Sequence, residues 1–125
     1  LTWMHKKKAD YTNTFCFLMN EKIQEKKIYE DKDFLNWKQQ WQKRLKLHNN
    51  TPEKHLKLMR AANPLVIPRN HKVEEALKAA NNNDLIPMKN LLKVLETPYE
   101  NQEKITNYQS PAPLNNKKYQ TFCGT

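Results

Sequence analysis

A short apolar stretch enclosed by two prolines divides this sequence and limits how it can fold. Asn63-Pro64 ends the helical pattern before it, because proline disfavours the α conformation of the preceding residue. The apolar residues 65–67 are too few for a paired strand but enough to fill an extended part of a core. Pro68 restricts φ and keeps the segment extended. The sequence therefore predicts two helical parts joined by a buried extended linker, residues 64–70.

Three helices are predicted in the first part, residues 1–63, and each start has a polar residue that can cap it. Asp10, Asp33 and Thr51 each precede a run with apolar residues at helical spacing. Pro52 suits the first helical position after Thr51, where its missing N–H costs nothing. The positions of the third helix expected to face inward are Leu56, Met59 and Ala62.

The second helix carries the largest aromatic residues of the sequence at helical spacing. Phe34, Trp37, Trp41 and Leu45 recur at steps of three and four residues, so they share one face. Exposed tryptophans could form a platform on which nucleic-acid bases stack. A packed helix face is the interpretation that we favour, because the stripe continues through Leu45, and both tryptophans are therefore predicted to lie in the core.

Residues 71–96 have the pattern of a helical hairpin. Asn70 can cap the fourth helix and Asp84 the fifth, and Pro87 falls in a first turn, where proline is tolerated. Asn83 suits a left-handed turn between them, since asparagine tolerates that conformation better than most residues. The apolar stripes of the two helices comprise Val73, Ala76, Leu77, Ala80, Leu85, Met88, Leu91, Leu92 and Leu95.

The composition changes at Thr97, after the hairpin. Pro98, Pro111 and Pro113 punctuate a polar stretch whose large apolar residues are too widely spaced for a helix stripe. Residues 97–125 are therefore predicted to form an extended tail. The predicted fold class is all-α, with about five helices, and residues 1–125 form a single helical domain or a fragment of one.

The chain is strongly basic, with 22 Lys and Arg residues against 13 acids and a net charge of +9. This balance permits acidic or nucleic-acid partners. However, Arg44, Arg60 and Arg69 are the only arginines, and base and phosphate recognition favours arginine forks. A solvated lysine surface is therefore favoured and nucleic acid is an unlikely partner. With no apolar run of membrane-spanning length, a cytoplasmic protein without membrane contact is expected.

The sequence offers little catalytic chemistry of its own. Its single glycine is Gly124, so a glycine-rich phosphate loop is excluded. The four histidines lack metal-ligand spacing with one another or with a cysteine. The acidic cluster at residues 30–33 has a lysine inside it and is interpreted as a solvated helix entrance. We therefore predict no catalytic residue, no metal site and no cofactor within this chain.

An ordered set of motifs resembles the C-terminal region of the selenoprotein O family, also called the YdiU family. The first is Asn-Pro-x-x-Ile-Pro-Arg-Asn-His-x-Val-Glu-x-Ala-Leu at residues 63–77. The others, in order, are residues 9–15, Trp37 and Trp41 with Arg44-Leu45, residues 84–88, Leu91-Leu92, Pro98-Tyr99 and residues 119–125. Each motif alone is weak, but their shared order along nearly the whole chain is specific.

The resemblance implies a function for the parent protein. The family is known as pseudokinase-fold enzymes that transfer AMP from ATP to protein hydroxyls, so ATP and Mg are expected in the parent. Its catalytic residues lie in an earlier, kinase-like part and none maps onto this chain, which is similar to a non-catalytic C-terminal part. The expected partners are that missing N-terminal kinase-like domain and the parent's protein substrates. Two alternatives remain open: a basic helical module that binds nucleic acid, and a helical scaffold or interaction domain.

Two groups of residues are candidates for contact chemistry. Cys123 lies near the chain end, where some family members hold selenocysteine or cysteine, which implies a redox role; the alternative is a packed thiol. Arg69, Asn70 and His71 lie at a predicted helix entrance, where backbone N–H groups favour anions. In that interpretation Arg69 reaches outward while Leu65 and Ile67 are buried. The alternative is that Asn70 caps the helix and Arg69 pairs locally.

Overall fold

The structure, a computed structural model, describes residues 1–21, 23, 26–47 and 51–112. Every regular element in these ranges is a helix, which confirms the all-α prediction. A 3₁₀-helix, Lys27–Glu30, accompanies the α-helices of the described ranges, which are α1 Thr2–Lys7, α2 Tyr11–Leu18, α3 Lys32–Leu47, α4 Pro52–Ala62, α5 Asn70–Asn81, α6 Ile86–Glu96 and α7 Thr106–Gln109. The five predicted helices correspond to α2–α6. Among the residues described, no helix is both long and apolar enough to span a bilayer.

The extended linker runs through the centre of the core, as its sequence predicts. Val66 is 1% exposed and Leu65 5%, and both pack in one cluster with Cys16 and Met19 of the α2 region. The N–H of Leu65 donates to the carbonyl of Pro98 at 2.7 Å, so the linker is also tied to the segment after α6. The prediction that Leu65 and Ile67 are buried is therefore right for Leu65 and wrong for Ile67, which is half-buried, and Val66 is the residue buried beside Leu65.

Two of the predicted caps hold their helices. The Asp10 carboxylate accepts from the Asn13 N–H at 2.8 Å at the start of α2. Thr51 Oγ1 accepts from the Lys54 N–H at 3.4 Å at the start of α4, which ends at Ala62 just before Asn63-Pro64. Ala62 was predicted to face inward, but it is exposed, so that prediction is wrong.

Helix α3 begins two residues earlier than predicted, because Asp31 caps it in place of Asp33. Asp31 has the extended backbone of a cap residue, and its Oδ1 accepts from the N–H groups of Asp33 at 3.1 Å and Phe34 at 3.4 Å. The same carboxylate accepts from Trp3 Nε1 at 2.9 Å and forms an ion pair with Lys7. Asp31 therefore joins α1 to the start of α3.

The aromatic stripe on α3 is only partly buried. Phe34 is buried among Trp3, Phe17 and Tyr29, which contact its ring. Trp37 is 46% exposed, and its ring stacks on that of Trp41 with centroids 6.0 Å apart. The prediction that both tryptophans lie in the core is therefore wrong for Trp37. The rings around Phe34 already fill that side of the core, and Trp37 covers its edge.

Helices α5 and α6 pack against each other as the predicted hairpin. Asn83 has φ 63°, the left-handed conformation predicted for the turn. Asp84 accepts from the Ile86 N–H at 3.0 Å, but the position next to the helix is Leu85, so Asp84 supports the turn from one residue further out. Pro87 lies in the first turn. Asn83 is one of four non-glycine residues with positive φ in the described ranges, the others being Lys8, Asn20 and Lys104.

The apolar stripes of the hairpin are narrower than predicted. Ala76, Leu91 and Val94 are buried, and Val94 was not among the predicted residues. The residues predicted to face inward that are instead exposed are Leu77, Leu85 and Leu92. Helices α5 and α6 therefore bury only a narrow strip of their surface, and these leucines lie beyond its edges.

The described part of the predicted tail is irregular except for α7. Ile105 and Gln109 are buried there, so this short helix belongs to the core and is not a loosely docked end. Gln102 Nε2 donates to the carbonyls of Val94 at 2.9 Å and Thr97 at 2.8 Å, which satisfies the end of α6. Residues 113–125 lie outside the described residues.

Shortening the buried side chain of Leu65 in the linker should destabilise the whole chain. Leu65→Ala removes a buried side chain from the central cluster and should lower the free energy of unfolding by about 2–5 kcal/mol. Leu92→Ala, at a side chain 56% exposed, is the control and should stay within about 0.5 kcal/mol. Urea denaturation measures both, and equal midpoints for the two variants would mean that the linker is not part of the core.

The Asp31 junction should make stability sensitive to acid. Hydrogen bonds from Lys7 and Trp3 lower the pKa of Asp31 to about 2. A carboxylate with a depressed folded-state pKa contributes stability above its unfolded pKa of about 4, and that contribution is lost as pH falls toward 2. Asp31→Asn should therefore lower the thermal midpoint at pH 6 and flatten its decline between pH 4 and 2. An unchanged slope in the variant would contradict this assignment.

Candidate functional site

The structure places the predicted anion-contact residues at the start of α5 but directs Arg69 inward. Its side chain is 9% exposed and forms a bidentate pair with Asp10, with Nη1 2.6 Å from Oδ2 and Nη2 2.9 Å from Oδ1. Arg69 thus neither reaches outward nor pairs locally, since Asp10 precedes it by 59 residues. Asn70 is the first helical residue, and Arg69 occupies the cap position, so Asn70 does not cap α5.

This ion pair belongs to a buried polar network that joins three parts of the chain. Arg69 Nη2 also donates to Asn13 Oδ1 at 3.3 Å, and Asn13 Nδ2 donates to the carbonyl of Gln109 at 3.0 Å. Gln109 Nε2 in turn donates to the carbonyl of Leu65 at 2.8 Å. The start of α2, the linker and α7 are therefore connected by hydrogen bonds, and we call these residues (Asp10, Asn13, Leu65, Arg69, Gln109) the polar clamp.

The electrostatics of the clamp favour a charged Asp10. Burial alone would raise the pKa of Asp10, but the hydrogen bonds from Arg69 and the Asn13 N–H, together with the Arg69 charge, hold it below its ordinary value. Arg69 is therefore neutralised by its own chain, and an external anion would have to compete with Asp10 for the guanidinium. The anion-contact role of Arg69, Asn70 and His71 stays a prediction.

His71 is half-buried beside the clamp and contributes little positive charge. Burial lowers its pKa, and the positive charges of Lys72 and Arg69 lower it further. The ring is therefore mainly neutral at pH 7. An anion at this helix entrance would be bound by backbone donors more than by imidazolium.

Of the two cysteines, Cys16 lies in the core and Cys123 lies outside the described residues. Cys16 is 0% exposed, with its Sγ 3.9 Å from the Pro64 carbonyl oxygen and 4.0 Å from that of Leu65. Burial, with the negative charges of Glu21 and Asp10, raises the pKa of its thiol to about 11. Cys16 is thus an unreactive core thiol. The redox role of Cys123 stays a prediction.

A groove lies between α3 and α4. It encloses a cavity of about 500 Å³. Its apolar lining residues are Leu18, Trp41, Leu45, Pro52, Leu56 and Met59. Its polar lining includes Lys38, Lys46 and His55, whose Nε2 is buried without a hydrogen-bond partner in the structure. This arrangement can hold apolar side chains and offers positive charge at its rim.

Sequence reasoning found the parts of these features separately. It singled out Asp10 as a cap and Arg69 as an anion contact, but nothing local indicates that they contact each other across 59 residues. It recognised Trp41, Leu56 and Met59 as inward-facing but expected them to pack against neighbouring helices. The sequence feature that could have indicated the groove is the number of apolar residues on α3 and α4. No group of three or more potential metal ligands occurs within the described part of the chain.

Breaking the clamp should cost more than breaking a surface ion pair. Asp10→Asn leaves Arg69 buried without its counter-charge and should lower the free energy of unfolding by about 3 kcal/mol, near the low end for buried pairs because the Asp10 side chain is 21% exposed. Glu75→Gln, which breaks the exposed pair with Lys72, should cost less than about 1 kcal/mol. Denaturant titration compares them.

The double variant Asp10→Asn with Arg69→Gln provides the control for that comparison. Residues that act on each other give non-additive changes, so the double variant should be less destabilised than the sum of Asp10→Asn and Arg69→Gln. Strict additivity would show that the two side chains contribute independently and that the clamp is not a coupled unit.

Comparison with known proteins places the chain in a family. Residues 1–96 match the family described as protein adenylyltransferase SelO. The chain is 53% identical to the protein nucleotidyltransferase YdiU of Pelagibacter ubique, and 47% and 44% identical to those of Nitrosococcus oceani and Alcanivorax borkumensis. Each match covers 100% of this chain and 26% of the relative, so the chain spans about a quarter of their length. The resemblance carried by the linker motif is confirmed, and the chain belongs to the protein adenylyltransferase SelO family.

Proposed function

We propose that this chain is the non-catalytic, helical C-terminal part of a selenoprotein O-like enzyme that transfers AMP from ATP to Ser, Thr or Tyr hydroxyls of proteins. The observation that carries the proposal is the extent of the family match. Relatives named as nucleotidyltransferases match this chain along its whole length but over only 26% of theirs. The nucleotide, its Mg ion and the catalytic side chains then belong to the other three quarters.

The amino-acid content of the chain supports this division of roles. Enzymes that bind ATP commonly use glycines so that backbone N–H groups can approach the phosphates closely. This chain has one glycine, Gly124, far along the sequence from every helix of the described structure. A loop that cradles phosphate would therefore have to come from elsewhere in the parent protein.

The architecture suits a supporting role. The polar clamp and the linker tie α2, α5 and α7 into one unit, because each of their contacts joins residues far apart in sequence. A rigid unit can hold a neighbouring domain in place without supplying chemistry itself. The partners in this proposal are the N-terminal kinase-like part and, through it, the protein substrates.

The proposal predicts that the chain alone neither binds nor uses ATP. Titration calorimetry of the 125-residue chain with ATP and Mg should give only dilution heat. A chimera of the Pelagibacter ubique relative, in which this chain replaces the quarter that it matches, should transfer radiolabelled AMP to protein.

Two controls sharpen that test. The same relative without its matching quarter should lose AMP transfer, and so should a chimera carrying Leu65→Asp, since a charge in the central core unfolds the chain. Stoichiometric ATP binding by the isolated chain, or full activity of the truncated relative, would contradict the proposed role.

A further inference from the structure

Helices α3 and α4 fully bury very little of their apolar surface. Phe34 is the one buried residue among the 16 of α3, and α4 has none among its 11. Their larger apolar side chains, Trp41, Leu45, Leu56 and Met59, are each half-buried around the groove. A helix of a folded protein normally buries its apolar stripe against another layer. Trp41 and Met59 contact the edge of the core cluster, and the described part of this chain places no further layer over the open side of the groove.

The groove continues onto the open surface through aromatic side chains. Trp37, 46% exposed, stacks on Trp41 with the ring planes 6° apart. Leu58 of α4 is exposed as well. Aromatic residues at the centre of an apolar patch are typical of protein–protein interfaces. The patch is therefore composed like a contact surface and not like the polar face of an ordinary surface helix.

The polar residues that line the groove indicate the chemistry of a segment that could bind there. Lys38 and Lys46 line the groove on a chain with a net charge of +9, and the Nζ atom of Lys38 lies 4.7 Å from the centre of the Phe17 ring. His55 also lines the groove, and its Nε2 is buried without a hydrogen-bond partner in the structure. An imidazole nitrogen without a partner is satisfied by a hydrogen bond, and lysines attract carboxylates. The complement is thus an apolar segment with acidic side chains beside it.

The length of the family proteins indicates where such a segment comes from. The chain matches 26% of each of the three relatives. The other three quarters of each relative have no counterpart in this structure. We propose that the α3–α4 groove is the docking surface for the catalytic part of the selenoprotein O-like protein, which inserts an apolar, acid-flanked segment against Trp41 and Met59. This inference rests on the proposed function and names the surface and the chemistry of that contact.

Hydrogen–deuterium exchange tests the inference on two proteins: the isolated chain and the chimera with the Pelagibacter ubique relative. Backbone amides of α3 after Trp37 and of α4 should exchange several-fold more slowly in the chimera than in the isolated chain. The exposed face of α6 around Leu92 should exchange equally in both. Equal exchange of α3 and α4 in the two proteins would overturn the docking proposal.

A matched pair of charge reversals separates docking from general stability. Lys46 and Lys93 are both exposed lysines in the last turn of a helix, and only Lys46 lines the groove. In the chimera, Lys46→Glu should abolish most of the added protection of α3 and α4, whereas Lys93→Glu should retain it. In the isolated chain the two variants should have equal melting temperatures. If Lys46→Glu and Lys93→Glu retain the same protection, the acidic complement is wrong and the proposal fails.

The remaining outcomes distinguish this proposal from the function on which it rests. Protection of α3 and α4 that rises with concentration in the isolated chain would mean that a second copy fills the groove, and would overturn docking of the catalytic part. A chimera that transfers AMP while the groove stays unprotected would overturn the docking surface but leave the supporting role. A groove that is protected and sensitive to Lys46→Glu in a chimera without AMP transfer would support docking and contradict the supporting role.

Discussion

The contact between Arg69 and Asp10 determines how the two halves of this chain fit together. A guanidinium and a carboxylate removed from water are costly unless each has a full set of partners. Here the bidentate geometry and the neighbouring Asn13 provide partners for both terminal nitrogens of Arg69, whose Nε is buried without a hydrogen-bond partner in the structure, and Asp10 at the same time caps α2. A displacement of α2 relative to the linker would break all of these contacts together. The pair thus fixes one arrangement of the halves, while Leu65 and Val66 of the apolar linker beside it are buried in the core.

The organisation of the core explains why this chain has both a rigid and an incomplete side. Linker residues Leu65 and Val66 are covered on one side by the α2 region and on another by Val94 and Ile105. That part of the molecule is complete within the described residues. Helices α3 and α4 bury Phe34 alone, while Trp41 and Met59 pack against the edge of the core cluster and also line the groove.

Features that depend on sequence neighbours could be predicted, and features that depend on distant contacts could not. The caps at Asp10 and Thr51, the stop at Asn63-Pro64 and the left-handed Asn83 follow from local backbone chemistry, and all were predicted correctly. The α3 start was misplaced because two aspartates two residues apart are equally good caps by type, and the contact with Trp3 from α1 selects Asp31.

The candidate site shows the same limit. Periodicity indicates which residues of a helix share a face, but it does not indicate how wide a surface the rest of the chain will place against that face. For this reason Trp37, Leu77 and Leu92 were assigned to the core and are exposed. Asp10 was predicted as a helix cap and Arg69 as an anion contact, yet their pairing across 59 residues depends on tertiary structure alone.

The turns of this chain have a consequence for its unfolded state. Lys8, Asn20, Asn83 and Lys104 adopt the left-handed backbone that glycine would enter without steric cost, and the sequence has one glycine in 125 residues. Each such residue gives up roughly 1 kcal/mol of local backbone energy. Side chains at these positions also narrow the range of conformations open to the unfolded chain, so less entropy is lost when the turns form. The backbone strain at these turns of the folded chain is therefore partly offset by the lower conformational entropy of the unfolded chain.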